Sequence, residues 1–463
     1  MSNAKEVKFS LKVMINKKKT KVLFAEVDSD FVDVLLSFLT LPLGKIVSLL
    51  EKHYGDEAPV FGSLSTLYYG LSNLDSANFW TEGGKQMLLN PRSSFESECR
   101  KLKINVDDTQ PTKYFRCGDM NCKRKESVNV SMYYGTAKCD CGKSLNRAMG
   151  TMEPKTQVDI DGDGGVFTEK RGSFLITDDL RMAPVVLGSI IQTLINLGIT
   201  VRSGAEMKTV NLGFNEIIDL LRGSLLSNTP LTDLILLERH RTITYDVRGY
   251  LPHQIEKKSS SDSKKLIVKA ILRKSDNKLL FVEAKEDFVD FLFSLLIIPF
   301  GGVERLLGSN TSLKNMDNLY KSITNLIGDR HLRTPDIIDR LMKPELPPNY
   351  LSKNQIFPLT EQMSPSIYYF QSVTDTDRTV EKGYWMRFKD PKGGESYVRR
   401  PGTFMVSDDL TVKRMDSISS ILCRLNIRLS DALNILKASL TSISSFTDGL
   451  IDPILEKQQE QEN

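Results

Sequence analysis

The chain opens with alternating apolar and polar positions and continues with apolar residues at helical spacing. Residues 7–15 and 21–27 alternate with a period of two around a polar stretch, which predicts two strands joined by a turn. Behind Asp30, which is predicted to cap a helix, apolar side chains recur at helical spacing until Pro42 and Gly44 end or kink the helix. This pattern predicts a β-hairpin followed by helices.

Later apolar runs predict the remaining elements of the same unit. Residues 173–177 are typical of a buried strand. Residues 185–197 are typical of an amphipathic helix that stops at Gly198, and residues 214–226 of another helix. Because these elements lack the regular strand–helix–strand alternation of a parallel sheet, the pattern favours an α+β fold over a doubly wound sheet.

The order of these blocks occurs twice along the chain. Val22–Gly44 aligns without a gap on Leu279–Gly301, and both segments contain Asp-Phe-Val-Asp followed by a proline and a glycine. Three shorter pairs of segments repeat in the same order: Gly172–Leu180 with Gly402–Leu410, Leu221–Leu225 with Leu436–Leu440, and Leu231–Asp233 with Phe446–Asp448. Shared spacing over this length predicts a tandem duplication that spans nearly the whole chain.

The sequence thus predicts two diverged copies of one α+β unit, each with a β-hairpin, helices, a strand and further helices. The first copy is predicted to cover residues 7–247 and the second residues 265–457. Between them, residues 248–264 contain a serine and lysine run with almost nothing to bury, which is typical of a polar linker. Periodicity does not decide whether the copies pack together or stay independent.

Composition limits the class of protein. The 463 residues are 40% apolar, and 62 basic residues nearly balance 58 acidic ones, so the whole-chain charge indicates neither nucleic acid nor a membrane surface. The longest apolar stretch, residues 291–303, is interrupted by Ser294 and Pro299 and is shorter than the roughly 20 residues of a membrane span. Since no secretory apolar segment opens the chain, the six cysteines are expected to be reduced. We expect a soluble protein of the cytoplasm or the nucleus without a membrane partner.

Four of the cysteines have the spacing of a metal site, within a module at about residues 113–147 of the first copy. The predicted ligands are Cys117, Cys122, Cys139 and Cys141. Two cysteine pairs at this separation can bring four thiolates to a tetrahedral Zn²⁺, and four protein ligands leave no open position for catalysis. The fold prediction therefore includes a small zinc-ribbon-like module, and the predicted cofactor is structural zinc. The last two cysteines lie closer together than a CxxC pair, which is expected to strain simultaneous ligation.

Basic and aromatic side chains surround these cysteines. Residues 113–147 hold eight basic and three acidic residues. The aromatic residues are Tyr114, Phe115, Tyr133 and Tyr134, and the candidate nucleic-acid contacts are Lys123, Arg124, Lys125 and Lys143. Cations can hold phosphates while aromatic rings stack on bases. A small metal module also buries its aromatics as a core and exposes lysines for solubility, and this interpretation is the favoured one.

Adjacent carboxylates follow a predicted strand in both copies, at Asp178-Asp179 and at Asp408-Asp409. Such pairs could bind a divalent cation, which would make the chain a metal-dependent enzyme. They are also good turn and helix-cap residues, and this interpretation is favoured. The motifs Asp30–Asp33 and Asp287–Asp290 have the same capping explanation.

Other motifs of chemistry are incomplete or missing from the sequence. Asp159–Gly164 matches the start of an EF-hand loop, but Lys170 stands where the bidentate glutamate is required, so a flexible acidic loop is predicted. The sequence contains no GxSxG elbow, no phosphate-binding loop and no HExxH motif. No catalytic residue is predicted.

The chain resembles the plant family named domain of unknown function 674. The residues that carry the resemblance are Leu23–Glu26, Asp30–Asp33, Leu41–Gly44, the cysteine module ending at Cys141-Gly142, and Thr177–Leu180. The resemblance covers nearly all of the chain in both copies and implies a plant protein with this tandem architecture, but no activity, substrate or catalytic residue.

Two departures from the family pattern matter for the cysteine module. The pair Cys139-Asp-Cys141 is shorter than the more typical CxxC. In the second copy, Tyr368–Gln371 stands where the first has Tyr114–Cys117, so that copy has lost its first ligand and the others with it. The core fold is therefore expected not to require zinc.

The function predicted from the sequence is that of a non-enzymatic scaffold with two related surfaces, a structural zinc site in the first copy and a protein partner. RNA binding through the basic zinc module is the first alternative, and a divalent-metal enzyme using the paired aspartates is the second. The sequence indicates no small-molecule ligand.

Overall fold

The computed structural model of the chain describes residues 7–120, 122, 127–149, 165–169, 172–185, 190–197, 199, 204–236, 265–273, 278–328, 331–363, 368–375, 378–399, 401–415 and 423–453. These residues form a mixed α+β fold with three five-stranded sheets. Among them, every helix is too short or too polar to cross a membrane.

The elements before residue 237 are, in chain order, β1 (Phe9–Ile15), β2 (Val22–Asp28), α1 (Ser29–Phe38), α2 (Leu43–Tyr54), α3 (Gly62–Asn73), α4 (Glu82–Leu89), α5 (Glu96–Cys99), β3 (Phe115–Cys117), β4 (Ser127–Ser131), β5 (Leu145–Ala148), β6 (Ser173–Thr177), β7 (Met182–Pro184), α6 (Ile190–Asn196), β8 (Glu206–Leu212), α7 (Phe214–Leu226) and α8 (Pro230–Leu236). We call this part of the chain the first half.

The second half comprises the described residues from 265 onward. Its elements are β9 (Leu266–Leu272), β10 (Leu279–Lys285), α9 (Glu286–Phe293), α10 (Phe300–Leu307), α11 (Lys314–Gly328), α12 (Pro335–Met342), β11 (Tyr368–Asp375), β12 (Arg378–Phe388), β13 (Thr403–Val406), β14 (Val412–Arg414), β15 (Cys423–Ile427) and α13 (Leu429–Thr441). The predicted opening hairpin, the strand at 173–177 and the helix at 214–226 are all confirmed.

Two of the three sheets have the same strand order. One is β7-β6-β2-β1-β8 and the other is β14-β13-β10-β9-β15, and neighbouring strands in both run antiparallel. In β1 the alternating residues Phe9, Leu11 and Val13 are buried while those between them are not, so one face of the sheet packs on the core as the period-two pattern predicts. Each half thus contributes one sheet of the same topology.

Helix α1 is capped two residues earlier than the sequence predicts. Its N-cap is Asp28, whose carboxylate accepts a hydrogen bond from the Phe31 N–H at 2.9 Å, so the prediction of Asp30 as the cap is wrong. Asp33 and Asp290 are not caps either. Both carboxylates are buried and accept backbone N–H groups from distant segments, because a short polar side chain on a buried helix face must find partners inside the protein.

The two halves meet where a proline interrupts each of them. Pro42 and Pro299 lie opposite one another, and the N–H of Leu43 donates to the carbonyl of Ile298 at 3.0 Å. In return, Phe300 donates its N–H to a first-half carbonyl at 2.9 Å. Since these groups lie in one continuous apolar core, the question that the sequence left open is settled: the halves pack together.

Helices from each half lie on the sheet of the other. Helix α3 packs on α13 and β14, and α11 packs on α7 and β7. The approach of α3 is close enough to require a glycine, because a Cβ on Gly62, whose φ is +48°, would lie 2.3 Å from the Ser439 carbonyl oxygen. Polar contacts also join the halves. Ser63 donates to the Ser442 carbonyl at 2.7 Å, and Ser322 accepts from the Met182 N–H at 2.9 Å.

The third sheet combines strands from both halves in the order β11-β12-β4-β3-β5. Strand β12 runs parallel to β4, with Trp385 opposite Ser127 and Phe388 opposite Val130. On one face, Val130 and Met386 pack with the half-buried ring of Phe388 in a small apolar cluster. The sheet that contains the predicted cysteine module is therefore not confined to the first half.

Glu304 generates a prediction about stability and pH. This side chain is fully buried on α10, and burial together with the nearby Asp317 carboxylate raises its pKa well above the usual range. The unfolded chain ionises this carboxyl at its ordinary pKa, so the free energy of unfolding should fall as pH rises from there through the raised folded-state pKa, by roughly 1.4 kcal/mol for each pKa unit. Glu304→Gln should remove this loss and unfold at higher urea concentration than the wild type at pH 8.

The same urea titration at pH 5 should show little or no gain for Glu304→Gln. The matched control is Glu57→Gln, which removes an exposed carboxyl and should leave both curves unchanged. A Glu304→Gln variant destabilised equally at both pH values would show that the buried carboxylate is stabilising in its charged form, contrary to this account.

Candidate metal centre

Four cysteines converge at one end of the third sheet. Cys117 ends β3, Cys122 follows it, and Cys139 and Cys141 lie in the turn that leads into β5. Their four sulfur atoms all lie within 4.8 Å of one another, and no other group of three or more histidine, cysteine, aspartate or glutamate side chains in the described part of the chain is arranged to hold a metal ion. The structure thus brings together all four residues that the sequence indicated as ligands.

The spacing of the sulfurs suits a tetrahedral ion better than a disulfide. The Sγ atoms of Cys117 and Cys141 are 3.4 Å apart, and those of Cys122 and Cys139 are 3.8 Å apart. A disulfide needs about 2.05 Å. Sulfurs at the corners of a tetrahedron with Zn–S bonds of about 2.3 Å lie about 3.8 Å from each other. Four soft sulfur donors at this spacing fit a metal such as Zn²⁺.

The turn at the second cysteine pair shows how a single intervening residue still allows both sulfurs to enter the cluster. The N–H of Cys139 donates to the Lys143 carbonyl at 2.8 Å, and the N–H of Gly142 donates to the Cys139 carbonyl at 2.8 Å. Gly142 has a φ of +85°, a left-handed conformation that glycine adopts without a Cβ penalty. The expected strain of the shortened pair is accommodated by this turn.

The four thiols do not share one acidity. Burial by itself would raise the pKa of the Cys139 thiol. Hydrogen bonds from the Cys141 N–H and from the Asn129 amide, 3.4 Å from the sulfur, act in the opposite direction, and the pKa is lowered to about 7. Burial and the neighbouring thiols raise the pKa of Cys122 to about 12, and burial raises that of Cys117. Four thiolates at this distance repel one another, so their simultaneous deprotonation requires a cation among them.

The cluster is anchored on one side and open on the other. Cys117 and Cys139 are buried beside Ala137 and Leu145, whereas Cys141 is exposed. Between the two cysteines of the turn, Asp140 forms an ion pair with Lys389 at 2.5 Å. The lysine belongs to the residues directly after β12, and its own N–H donates to the Val130 carbonyl. The cysteine turn is therefore connected to the second half.

The candidate nucleic-acid contacts are only partly described. Lys143 is exposed beside the cysteine turn, while Lys123, Arg124 and Lys125 lie outside the described residues. The four aromatic residues separate into two groups. Tyr133 and Tyr114 are turned toward the protein, and the ring of Tyr114 lies 5.6 Å from that of Phe388. Tyr134 is 67% exposed and packs edge-on against Phe115 at 5.5 Å. The sequence interpretation of these rings as a core holds for one group only.

We call the face of the third sheet that carries Asn129 and Cys139 the cysteine face. Two further residues on it were not predicted as site residues from the sequence. Arg387 pairs with Asn129 across β12 and β4, so its side chain is on the face of the sheet that carries Cys139. Trp385, two residues earlier on the same strand, shares this face and is 54% exposed. Their approach depends on a parallel pairing between strands more than 200 residues apart in the chain, which no local pattern predicts.

The paired aspartates have structural partners. Asp178 accepts hydrogen bonds from the N–H and hydroxyl of Thr232 at 2.8 and 2.7 Å, at the start of α8. Asp408 accepts the same pair of bonds from Thr447, both at 2.7 Å. Asp179 accepts from Thr177 and Arg181 within its own turn. These contacts support the turn and cap interpretation over a cation site. The EF-hand-like segment Asp159–Gly164 lies outside the described residues.

Comparison with known proteins gives one match. The family model described as "Protein of unknown function (DUF674)" matches residues 5–444. No curated protein matches the chain. No solved structure matches it either.

Proposed function

The chain belongs to this DUF674 family of proteins of unknown function, and we propose that it is a non-enzymatic binding scaffold in which a structural zinc ion fixes the sheet shared by the two halves. The observation that carries the proposal is the convergence of four thiols within 4.8 Å on that sheet. A site of this kind stabilises a surface and does no chemistry on a substrate, because its ligands are all supplied by the protein.

The donor set supports zinc and a structural role. Four cysteines and no carboxylate or histidine are typical of structural Zn²⁺, and they leave no position for a water or a substrate. Thiolate sites of this type persist in reducing compartments, which supports a location in the cytoplasm or the nucleus. The ligands would be Cys117, Cys122, Cys139 and Cys141.

A bound zinc ion would stabilise more than the turns that carry its ligands. The cysteines lie on β3 and in the turn before β5, while β4 joins this module to β12 and Asp140 reaches Lys389. A bound ion would therefore hold one end of a sheet whose other strands come from the second half. Because the other two sheets contain none of these cysteines, the rest of the fold should form without metal.

We also propose that the halves are the two copies of an ancestral unit, residues 7–247 and 265–457 joined by residues 248–264. The equal strand order of the two antiparallel sheets supports this. So do corresponding polar contacts, such as Thr232 on Asp178 and Thr447 on Asp408. Two copies that share one core offer two related surfaces of different chemistry, which is what a scaffold for distinct partners needs.

The partner of the scaffold would bind on the cysteine face of the third sheet. Trp385 and Tyr134 are exposed there, together with Arg387. Tryptophan, tyrosine and arginine are the residues that most often dominate the binding energy of protein interfaces. We therefore propose a protein as the first candidate partner.

A second candidate, single-stranded RNA, is favoured by exposed cations at the cysteine turn and on β12. Lys138, Lys143 and Arg387 are exposed, and the turn's own Asp140 is already paired with Lys389. Exposed rings beside cations suit stacked bases and phosphates without sequence preference.

The zinc proposal predicts the metal content of the purified chain. Protein prepared without added metal should contain about one zinc per chain by elemental mass spectrometry, because four thiolates bind Zn²⁺ tightly at neutral pH. The double variant Cys117→Ser, Cys139→Ser should lose it while its far-UV circular dichroism changes little. Cys99→Ser, which alters a thiol outside the cluster, should keep the zinc. A zinc-free wild type, or zinc retained by the double variant, would contradict the site.

The shared core predicts that the linker is dispensable once the chain has folded. With a protease recognition sequence inserted between Ser259 and Ser260, the cut protein should elute from a size-exclusion column at the volume of the uncut one. The reason is that the halves share one apolar core and that each packs a helix on the sheet of the other. Fragments that separate under native conditions would show that the contacts between halves are too weak to hold them.

The RNA candidate predicts a salt-dependent affinity measured by fluorescence polarisation with a labelled single-stranded oligonucleotide. Arg387→Glu and Trp385→Ala should each weaken binding about fivefold or more, as expected for a lost phosphate contact or a lost stack of about 1–3 kcal/mol. Lys413→Glu makes the same change of charge at an exposed position of β14, in a sheet that contains none of the four cysteines, and should have little effect. If the wild type does not bind at low salt, or all three variants bind alike, RNA is not the partner.

A further inference from the structure

A cavity of about 420 Å³ lies beside α1, where the first half meets the second. The first half contributes Asp30, Asp33, Glu98, Lys101, Leu102, Lys103, Gly165 and Val166, and the second half contributes Arg333 and Ile337 near the start of α12. This volume is in the range of about 300–1,000 Å³ that is usual for small-molecule sites, and such sites prefer junctions between structural units.

The floor of the cavity is a carboxylate held in a fixed orientation. Asp33 accepts hydrogen bonds from the N–H groups of Val166 at 2.6 Å, Phe167 at 3.1 Å and Thr168 at 2.8 Å, and a fourth from the Thr168 hydroxyl at 2.8 Å. A side chain at Gly165 would close the approach, since its Cβ would lie 2.6 Å from the carboxylate. The carboxylate is thus fixed in one orientation and is itself buried.

The rim of the cavity carries three cations. Lys101, Lys103 and Arg333 all line it and are exposed. The ammonium of Lys103 lies 4.7 Å from the centroid of the Phe9 ring, a contact that positions the lysine without neutralising it. Arg333 donates to the Gly165 carbonyl at 3.3 Å, which turns the guanidinium toward the floor.

Three carboxylates, Asp30, Asp33 and Glu98, line the cavity together with these three cations. Glu98 is paired with Arg340 at 2.6 Å, and Asp33 is buried and accepts four hydrogen bonds from the protein. A ligand in the cavity therefore contacts three exposed cations and one half-buried carboxylate, Asp30.

The corresponding place in the second half is closed. Asp290 stands at the position of Asp33 in the repeated segment and is completely buried. It accepts N–H groups from Tyr397 and Val398, as Asp33 does from its own distant segment, but Ser352 and Asn354 also donate to its other oxygen. Both carboxylates are buried, but a hydroxyl and an amide from a further protein segment cover that of Asp290, whereas that of Asp33 lies at the wall of the cavity.

We propose that this cavity binds a small hydroxylated phosphate ester, of the chemical class of the sugar phosphates. The phosphate would be held by Lys101, Lys103 and Arg333, since clustered lysine and arginine side chains are the usual ligands of phosphate groups. A hydroxyl of the ligand would donate to Asp30. The cavity contains none of the four cysteines, so this site is independent of the proposed zinc ion.

The test is isothermal titration calorimetry on the full chain with three probes: ribose 5-phosphate, inorganic phosphate and ribose. Ribose 5-phosphate should bind at least tenfold more tightly than either of the other two, because only it presents both the anion and the hydroxyls. The double variant Lys101→Gln, Arg333→Gln should weaken its binding tenfold or more. The double variant Lys208→Gln, Lys413→Gln loses the same charge at exposed positions of β8 and β14 and should bind as the wild type does.

Asp30→Asn separates the two parts of the proposal. It should weaken the binding of ribose 5-phosphate while leaving any binding of inorganic phosphate unchanged or stronger. The proposal is overturned if ribose 5-phosphate does not bind at millimolar concentration, if it binds no better than phosphate, or if the cavity variants and the control variant behave alike. Thermal unfolding of every variant, measured alongside, would confirm that a loss of binding is not a loss of fold.

Discussion

Proline interrupts both halves in the middle of the apolar core, and the rest of the structure depends on how the backbone groups at these breaks are paired. Around Pro42 and Pro299 the helices end, so carbonyl groups near the breaks lack partners within their own helices. The carbonyls of Leu39, Leu41 and Ile298 accept N–H groups from the opposite half instead. Each would cost about 1–3 kcal/mol if it were left buried and unpaired. These hydrogen bonds therefore fix the position of one half against the other.

This relative position explains why a helix from each half packs on the sheet of the other half. With the two breaks back to back, the chain that leaves α2 continues over the second sheet, and the chain that leaves α10 continues over the first. Helix α3 then covers β14 while α11 covers β7. Each sheet obtains part of its apolar cover from the other half, so neither half has a complete core of its own. The result is one apolar core shared by the two halves.

The two candidate sites lie along the junction between the halves. The cysteine cluster belongs to a sheet whose strands come from both halves, and the cavity at Asp33 is lined by residues of both. At each place the second half differs from the first. It lacks the four clustered cysteines, and Ser352 and Asn354 cover its buried Asp290. The shared framework is kept by buried apolar contacts, which leaves surface residues free to differ between the halves.

Local structure and the choice of the four cysteines that cluster follow from the sequence by itself. Alternation predicts the hairpin of β1 and β2, apolar spacing predicts α7 at its observed bounds, and the spacing of four cysteines predicts a cluster that the fold assembles. These features depend on residues close together in the chain, whose periodicity or spacing reports their environment directly.

Only the tertiary structure decided the rest. Asp33 and Asp290 have the sequence context of helix caps, but the backbone N–H groups that they accept are more than 100 residues away. The parallel pairing of β12 with β4 brings Trp385 beside the cysteine face, and the crossing of the halves creates the cavity at Asp33. The physical reason is the same in each case. Contacts between distant segments are selected by the packing of the whole core and the satisfaction of buried polar groups, and neither leaves a periodic trace in the chain.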